Sequence, residues 1–159
     1  MSLGKNLVGM HYRYPDHYVV EREKVREYAT AVKNDDPAFF EEKAAAELGY
    51  PALPAPLTFI SVFGYKAVAA FFEHANIVTD DAKIVQVDQT LKFFAPIQVG
   101  DCLYCDVSVE SVRRAHGTDI VMTKQTVTNE NGEVVQETYT TLAGRAGEEG
   151  EKGFSNAIA

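Results

Sequence analysis

The run LTFISVFGYKAVAAFFEHANI, residues 57–77, is apolar on nearly every side, and only Lys66, Glu73 and His74 in it can carry charge. A helix that is hydrophobic all round has to be enclosed, either by a membrane or by the rest of its own protein. About 20 residues would span a bilayer, but an internal lysine, a polar C-terminal end and strand-rich flanks disfavour insertion. The run is therefore expected to be a central helix buried by a sheet, with no membrane insertion.

The sheet is supplied downstream. KIVQVDQTLKFFAPI, DCLYCDVSVESVRR, GTDIVMTKQTVTNE and EVVQETYTTLAGRA are rich in β-branched and aromatic residues and are separated by VGD, AHG and NENG. Asn131-Gly132 is a hairpin signal. With no helical pattern between the four segments, an antiparallel meander is predicted. Upstream, EREKVREYATAV spaces Val25, Tyr28, Ala29 and Val32 as one face of a surface helix. Asp36-Pro37 reads as an N-cap and first-turn proline opening a second short helix through FFEEKAAAEL to Gly49. The first ten residues are expected to be poorly ordered, and the prolines of YPALPAP force an extended connection.

The fold class that follows is α+β. One hot-dog domain is expected over residues 1–145, its antiparallel sheet wrapped around a long central apolar helix, with two smaller helices near that helix's N-terminus. A flexible Gly/Glu-rich tail is expected over 146–159. Unburied edge strands favour dimerisation through a continuous intermolecular sheet.

The formal charge of −8 excludes nucleic acid and anionic membrane surfaces as partners. No signal-like apolar region opens the chain, so a cytoplasmic location is expected. Cys102 and Cys105 form a C-x-x-C, but on a strand their side chains point to opposite faces roughly 10 Å apart. A disulfide needs Cα atoms within about 7 Å, so two free strand thiols are predicted. His11, His17, His74 and His116 are scattered without metal-ligand spacing, and neither metal nor cofactor is expected.

GMHYRYPDHYVVEREKVREYA, NDDPAFF, APLTF, IVQVDQ, APIQVGD and QETYTTLAGRAGE together resemble the A-type subunit of the mycobacterial (3R)-hydroxyacyl-ACP dehydratase, a relative of the MaoC-like hydratases. That enzyme serves the type II fatty-acid synthase that elongates mycolic-acid precursors. A C-type paralogous subunit shares much of the pattern, while NDDPAFF and FGYKAVAAFF are closer to the A type. The family's catalytic motif is GDxNPxH, whose Asp and His exchange protons as water crosses the α,β bond of an acyl thioester. Aligned on Pro37, the motif puts Lys33 at the Gly, Asn34 at the Asp, Asp36 at the Asn and Phe39 at the His. An amide cannot ionise and a benzyl ring has no proton to exchange. Active relatives also use an AHGM-type run whose Gly donates a backbone N–H to the thioester oxygen; Ala55-Pro56-Leu57 stands there, and Pro56 has no N–H.

The resemblance thus implies no catalytic residue in this chain and a role as acyl-binding partner of a catalytic B-type hot-dog subunit, or as a homodimer in isolation, acting on an acyl carrier protein thioester. Phe59, Phe63, Phe71 and Phe72 are candidates to line an apolar slot for the acyl tail, although each taken singly reads as core. Ser61, Gly64 and Tyr65 set a small pair beside a polar-tipped ring and leave room for a ligand. Val85, Val87, Leu91 and Phe93 are predicted to share a strand face that Gln89 interrupts, with Gln86 and Asp88 opposite, towards a partner. Substrate contact is thus assigned to Phe59, Ser61, Phe63, Tyr65, Gln86 and Gln89. Two competing readings are a stand-alone acyl-binding module and a self-sufficient hydratase using Asp35 or Asp36.

Overall fold

The computed structural model describes residue 3, residues 5–147 and residues 151–156. Strands β1 (His11–Arg13) and β2 (Tyr18–Val19) lead into helices α1 (Arg22–Ala31), α2 (Glu42–Glu47) and α3 (Gly64–His74). Strands β3 (Ile77–Thr79), β4 (Ile84–Phe93), β5 (Cys102–Ala115), β6 (Thr118–Thr128), β7 (Val134–Arg145) and β8 (Phe154–Asn156) follow. The architecture is the expected α+β hot-dog, with α3 lying across β5 and β6.

β5, β6 and β7 are consecutive antiparallel neighbours. Their first turn is built on His116 and Gly117, both left-handed at φ 48° and 72°. In the second, the Asn129 side-chain oxygen accepts the Asn131 and Glu133 amides at 3.0 Å. β4 departs from the predicted meander, because it pairs with β7 rather than β5 and the order is β1-β5-β6-β7-β4. The reason lies in the connection. Pro96 cannot extend a ladder, and the chain is instead laced to residues 53–55 and then to Val20, through Ala55 N–H to Ile97 O at 2.7 Å, Val99 N–H to Leu53 O at 2.9 Å and Gly100 N–H to Val20 O at 3.0 Å. It crosses the end of the sheet and starts β5 beside β2. β1 and β2 cover the β5 edge, and among the described residues no strand pairs with the outer edge of β4.

The long central helix is a correction. Phe59–Val62 form a 3-10 turn, Phe63 is non-helical at φ −126° and ψ −24°, and α3 has 11 residues. Nor is the run buried all round, since Leu57 and Tyr65 are 67% and 63% exposed. The break brings the backbone close to β6: the Gly64 carbonyl accepts from Gln125 Nε2 at 2.8 Å, and a Cβ on Gly64 would stand 2.9 Å from that same nitrogen. The second predicted helix is likewise split, into a 3-10 turn at Pro37–Phe39 and α2. Asp36 does cap the turn, accepting Ala38 N–H at 2.9 Å. Arg26 Nε takes the Phe40 carbonyl at 3.0 Å and holds the loop out of helical register.

Two clusters make the core. One gathers Ala67, Phe71, Val107 and Val121 under α3, and the other gathers Val25, Ala45, Phe59 and Ile60 between the small helices and the sheet. Both chain ends join the first. Leu3 and Leu7 are 4% exposed, so the opening residues are not loose where described. The flexible tail expected over 146–159 does not hold at β8, which pairs with β3 and buries Phe154.

Lys33 occupies a position that prefers glycine. It sits at φ 58° just beyond α1, where Lys33 N–H to Thr30 O at 3.0 Å and Asn34 N–H to Ala29 O at 2.8 Å close a Schellman turn. A side chain in the left-handed region costs about 1–2 kcal/mol, partly offset by the greater unfolded-state freedom of glycine. Lys33→Gly is therefore expected to stabilise the fold by about 0.5–1 kcal/mol, read as a higher urea midpoint at unchanged slope.

Candidate functional site

Two cavities flank the start of the α3 region. The first, of 330 Å³, runs beneath α3 between a helix wall that includes Ile60, Val68, Ala69 and Phe72 and a sheet wall that includes Gln86, Gln89, Gln125 and Thr140. Ser61 and Tyr65 line it too. Four of the six residues assigned to substrate contact, Ser61, Tyr65, Gln86 and Gln89, thus meet in one cleft.

The meeting of Gln86 and Gln89 depends on a feature absent from simple alternation. Residues three apart on a regular strand face opposite sides, and Gln86 was expected across the strand from Gln89. In the structure Gln86 pairs with Leu142 and Gln89 with Thr140, so three steps on β4 match two on β7, and a β-bulge absorbs Val87. Both glutamines then point inward, and Gln89 Nε2 donates to Thr140 Oγ1 at 3.3 Å. The slip also divides the predicted apolar face. Val85 pairs with Ala143 on the outer side, whereas Leu91 and Phe93 pair with Thr138 and Gln136 on the inner one.

Phe59 and Phe63 lie elsewhere. Phe59 is 1% exposed, with the rings of Tyr28 and Tyr18 at 5.5 Å and 6.1 Å, and Phe63 stacks on Tyr18 at 4.8 Å. Neither lines the 330 Å³ cleft. Their expected place on a continuous helix face is lost because the helix breaks between them. Of the other two aromatics, Phe71 is core and Phe72 lines the cleft.

The second cavity, of 490 Å³, is lined by Phe39 and Pro56, the two residues that the resemblance set against the motif's His and the N–H donor, with Leu57, Phe93, Phe94 and Gln136. Asp36 also reaches it, with its carboxylate engaged in the cap to Ala38. The Asn34 side-chain oxygen accepts Asp36 N–H at 3.3 Å, a local loop contact. Asp35 is exposed and lines neither cavity, and no described histidine lines either. Acid–imidazole pairs occur at other places. His11 Nε2 is 3.5 Å from Asp106 on the β1–β5 edge, and His17 Nδ1 is 3.7 Å from Asp16 beside a cavity of 70 Å³. That volume holds a few waters, not an acyl thioester. The arrangement offers shape and hydrogen-bonding amides next to apolar surface; among the described residues the ionisable side chains that line the cavities are Tyr65 and Asp81 in the first and Asp36 and Tyr50 in the second.

Cys102 and Cys105 are free, as predicted. Burial pushes the Cys105 thiol up to about 11, against a smaller opposing effect of its hydrogen bond with Gln125. At pH 8 that group carries essentially no thiolate, the nucleophilic form. Iodoacetamide is expected to add once to the folded protein, at Cys102, and twice after unfolding, as read by intact mass.

Among the described residues no helix is long and apolar enough to cross a membrane. A UPF0336 protein of Mycobacterium tuberculosis is 71% identical over 159 residues, covering 100% of both chains. Among solved structures, a chain of the C-terminally truncated HadBC (3R-hydroxyacyl-ACP dehydratase) complex of M. tuberculosis matches with a TM-score of 0.81 and 48% identity, over 89% of this chain and 100% of that one. A MaoC-like dehydratase matches at 37% identity and the same TM-score of 0.81, over 89% of this chain and 43% of its own. Residues 6–138 match the family described as FAS1-like, dehydratase domain region. By these matches the chain belongs to the UPF0336 family of FAS1-like dehydratase-domain proteins, built on the MaoC-like hot-dog fold.

Proposed function

We propose that this chain is the non-catalytic, substrate-binding subunit of a (3R)-hydroxyacyl-ACP dehydratase, and that it pairs with a hot-dog subunit carrying the Asp/His pair. The observation that carries the reading is the content of the 490 Å³ cavity, where Phe39 and Pro56 stand at positions that need a base and an N–H donor. Pairing is supported by the state of β4. Its outer edge pairs with no strand among the described residues, Gln86, Gln89 and Phe93 on its inner side are exposed, and Val85, Val87 and Phe94 add apolar surface at 63%, 59% and 59% exposure. A strand bare on its edge and inner side asks for a second sheet. The matched HadBC structure is a (3R)-hydroxyacyl-ACP dehydratase complex. The matched MaoC-like dehydratase has more than half of its chain outside the matching region, room for a second such domain in one polypeptide.

The A-type assignment rests on degree. Identity falls from 71% with the M. tuberculosis UPF0336 protein to 48% with the HadBC chain, which supports reading the latter as a paralogue. The 330 Å³ cleft would take the acyl tail along its helix wall, with the glutamines facing the thioester end or the partner. The substrate would arrive on acyl carrier protein, in a cytoplasm reducing enough to keep both thiols free. Filling the cleft tests this. In the assembled enzyme Ser61→Trp is expected to lower kcat/KM for long-chain trans-2-enoyl thioesters at least about tenfold, a loss of one or two buried methylenes, while short-chain substrates keep theirs. An equal loss at all lengths would refute the tail site.

A further inference from the structure

The C-terminal strand bears on one end of the 330 Å³ cleft from outside. We take that end as marked by Phe72, near the C-terminus of α3, and by Thr79, Asp81 and Ile84, which follow the helix in the chain, whereas the lining residues Ile60 and Ser61 precede it. β8 pairs with β3 so that Phe154 lies opposite Thr79, and the Phe154 ring, 1% exposed, stands 5.7 Å from that of Phe72. Two glycines make the approach possible. A Cβ on Gly144 would meet the Phe154 ring at 2.8 Å, and one on Gly153 would stand 2.7 Å from Gly144 Cα and 3.0 Å from Ile84 Cγ1. The Gly153 carbonyl accepts Asp80 N–H at 2.9 Å, next to Asp81, and its own N–H goes to Arg145 O at 3.0 Å. All four residues at this end of the cleft are therefore packed on, paired with or adjacent to a residue held by Gly153–Phe154.

We propose that Phe154, delivered by the C-terminal strand, is the end-stop of the cleft and sets the longest acyl chain that fits. The proposal rests on the acyl-tail reading of that cleft. Phe154 does not line the cavity, so it acts as a positioning residue: its ring blocks the direction in which Phe72 would have to move to admit more chain. Interiors packed to crystal density yield little to a ligand. Each methylene that does find room gains about fourfold in affinity. A wall that moves thus changes length preference and leaves the chemistry at the partner's acid/base pair untouched.

The test uses the assembled dehydratase and a series of trans-2-enoyl thioesters lengthening by two carbons. With Phe154→Ala the length of highest kcat/KM is expected to rise by at least one step, through KM, with kcat for the shorter chains unchanged. Phe154→Leu, a gentler change should the alanine variant not fold, is expected to move the optimum the same way by less. A merely structural role would lower stability or activity evenly along the series. An optimum that stays in place in a folded variant, while Ser61→Trp still rejects long chains, overturns the end-stop alone. Indifference of the length profile to Ser61→Trp as well overturns the tail site and the end-stop with it.

Discussion

Incubated alone with a trans-2-enoyl thioester, the purified chain is expected to leave it unhydrated, and turnover is expected to appear when a hot-dog subunit bearing the GDxNPxH pair is added. The size of the effect follows from what the loop lacks. A positioned acid/base pair contributes about 10²–10⁴-fold, and one oxyanion donor about 10²–10³-fold. On the function proposed above, Phe39 and Pro56 would remove both contributions at one cavity, which would place the isolated chain at least about 10⁴-fold below the assembly. Of the two neighbouring acids, Asp36 is engaged in the cap to Ala38, and Asp35 lines neither cavity. Hydration by the lone protein that Asp35→Asn abolishes would establish the self-sufficient reading instead. Loss through His17→Gln would point to the pair beside Asp16. Tight acyl binding with no gain on adding any catalytic subunit would leave a stand-alone binding module.

The loop between α1 and α2 was legible because spacing survives folding: residues 33, 34, 36 and 39 form one loop whatever surrounds them. Strand identity was legible for the same kind of reason, since β-branched enrichment and turn residues act within a few positions. Three features were not. The order of strands depended on a long-range lacing of residues 97–100 to Leu53, Ala55 and Val20, which no local pattern in APIQVGD announces. The apolar run broke at Phe63 because Gly64 had to meet Gln125 on β6, a tertiary contact overriding helix period. The bulge at Val87 inverted the expected side of Gln86. A period-two reading carries its phase through every residue, so one extra residue reverses everything on one side of it. The cleft depends on the last two features, which is why Phe59 and Phe63, the two aromatics assigned to substrate contact, went to the core while Gln86 joined Gln89.

Val85→Lys combined with Val87→Lys is expected to abolish partnering while leaving the fold intact. Natural edge strands keep other strands away with lysine, and β4 carries exposed valines at these positions. If a partner strand extends the sheet at this edge, it covers both side chains. Burying a valine is worth about 1.5–3 kcal/mol; losing half of that at each site, with two ammonium groups to keep hydrated, weakens the complex by about 3 kcal/mol or more. That is at least about a hundredfold in Kd, read by co-purification and by sedimentation of the mixture. Val19→Lys with Val78→Lys is the control, because these residues are 47% and 53% exposed on β2 and β3, away from β4. Both double variants should keep the wild-type unfolding free energy in urea within about 1 kcal/mol, since an exposed substitution usually changes it by no more than about 0.5 kcal/mol. Because the cleft opens beside β4, the first variant should also lose activity on mixing in proportion to complex lost, and excess catalytic subunit should restore it. Undiminished pairing would move the interface off this edge and take the continuous intermolecular sheet with it.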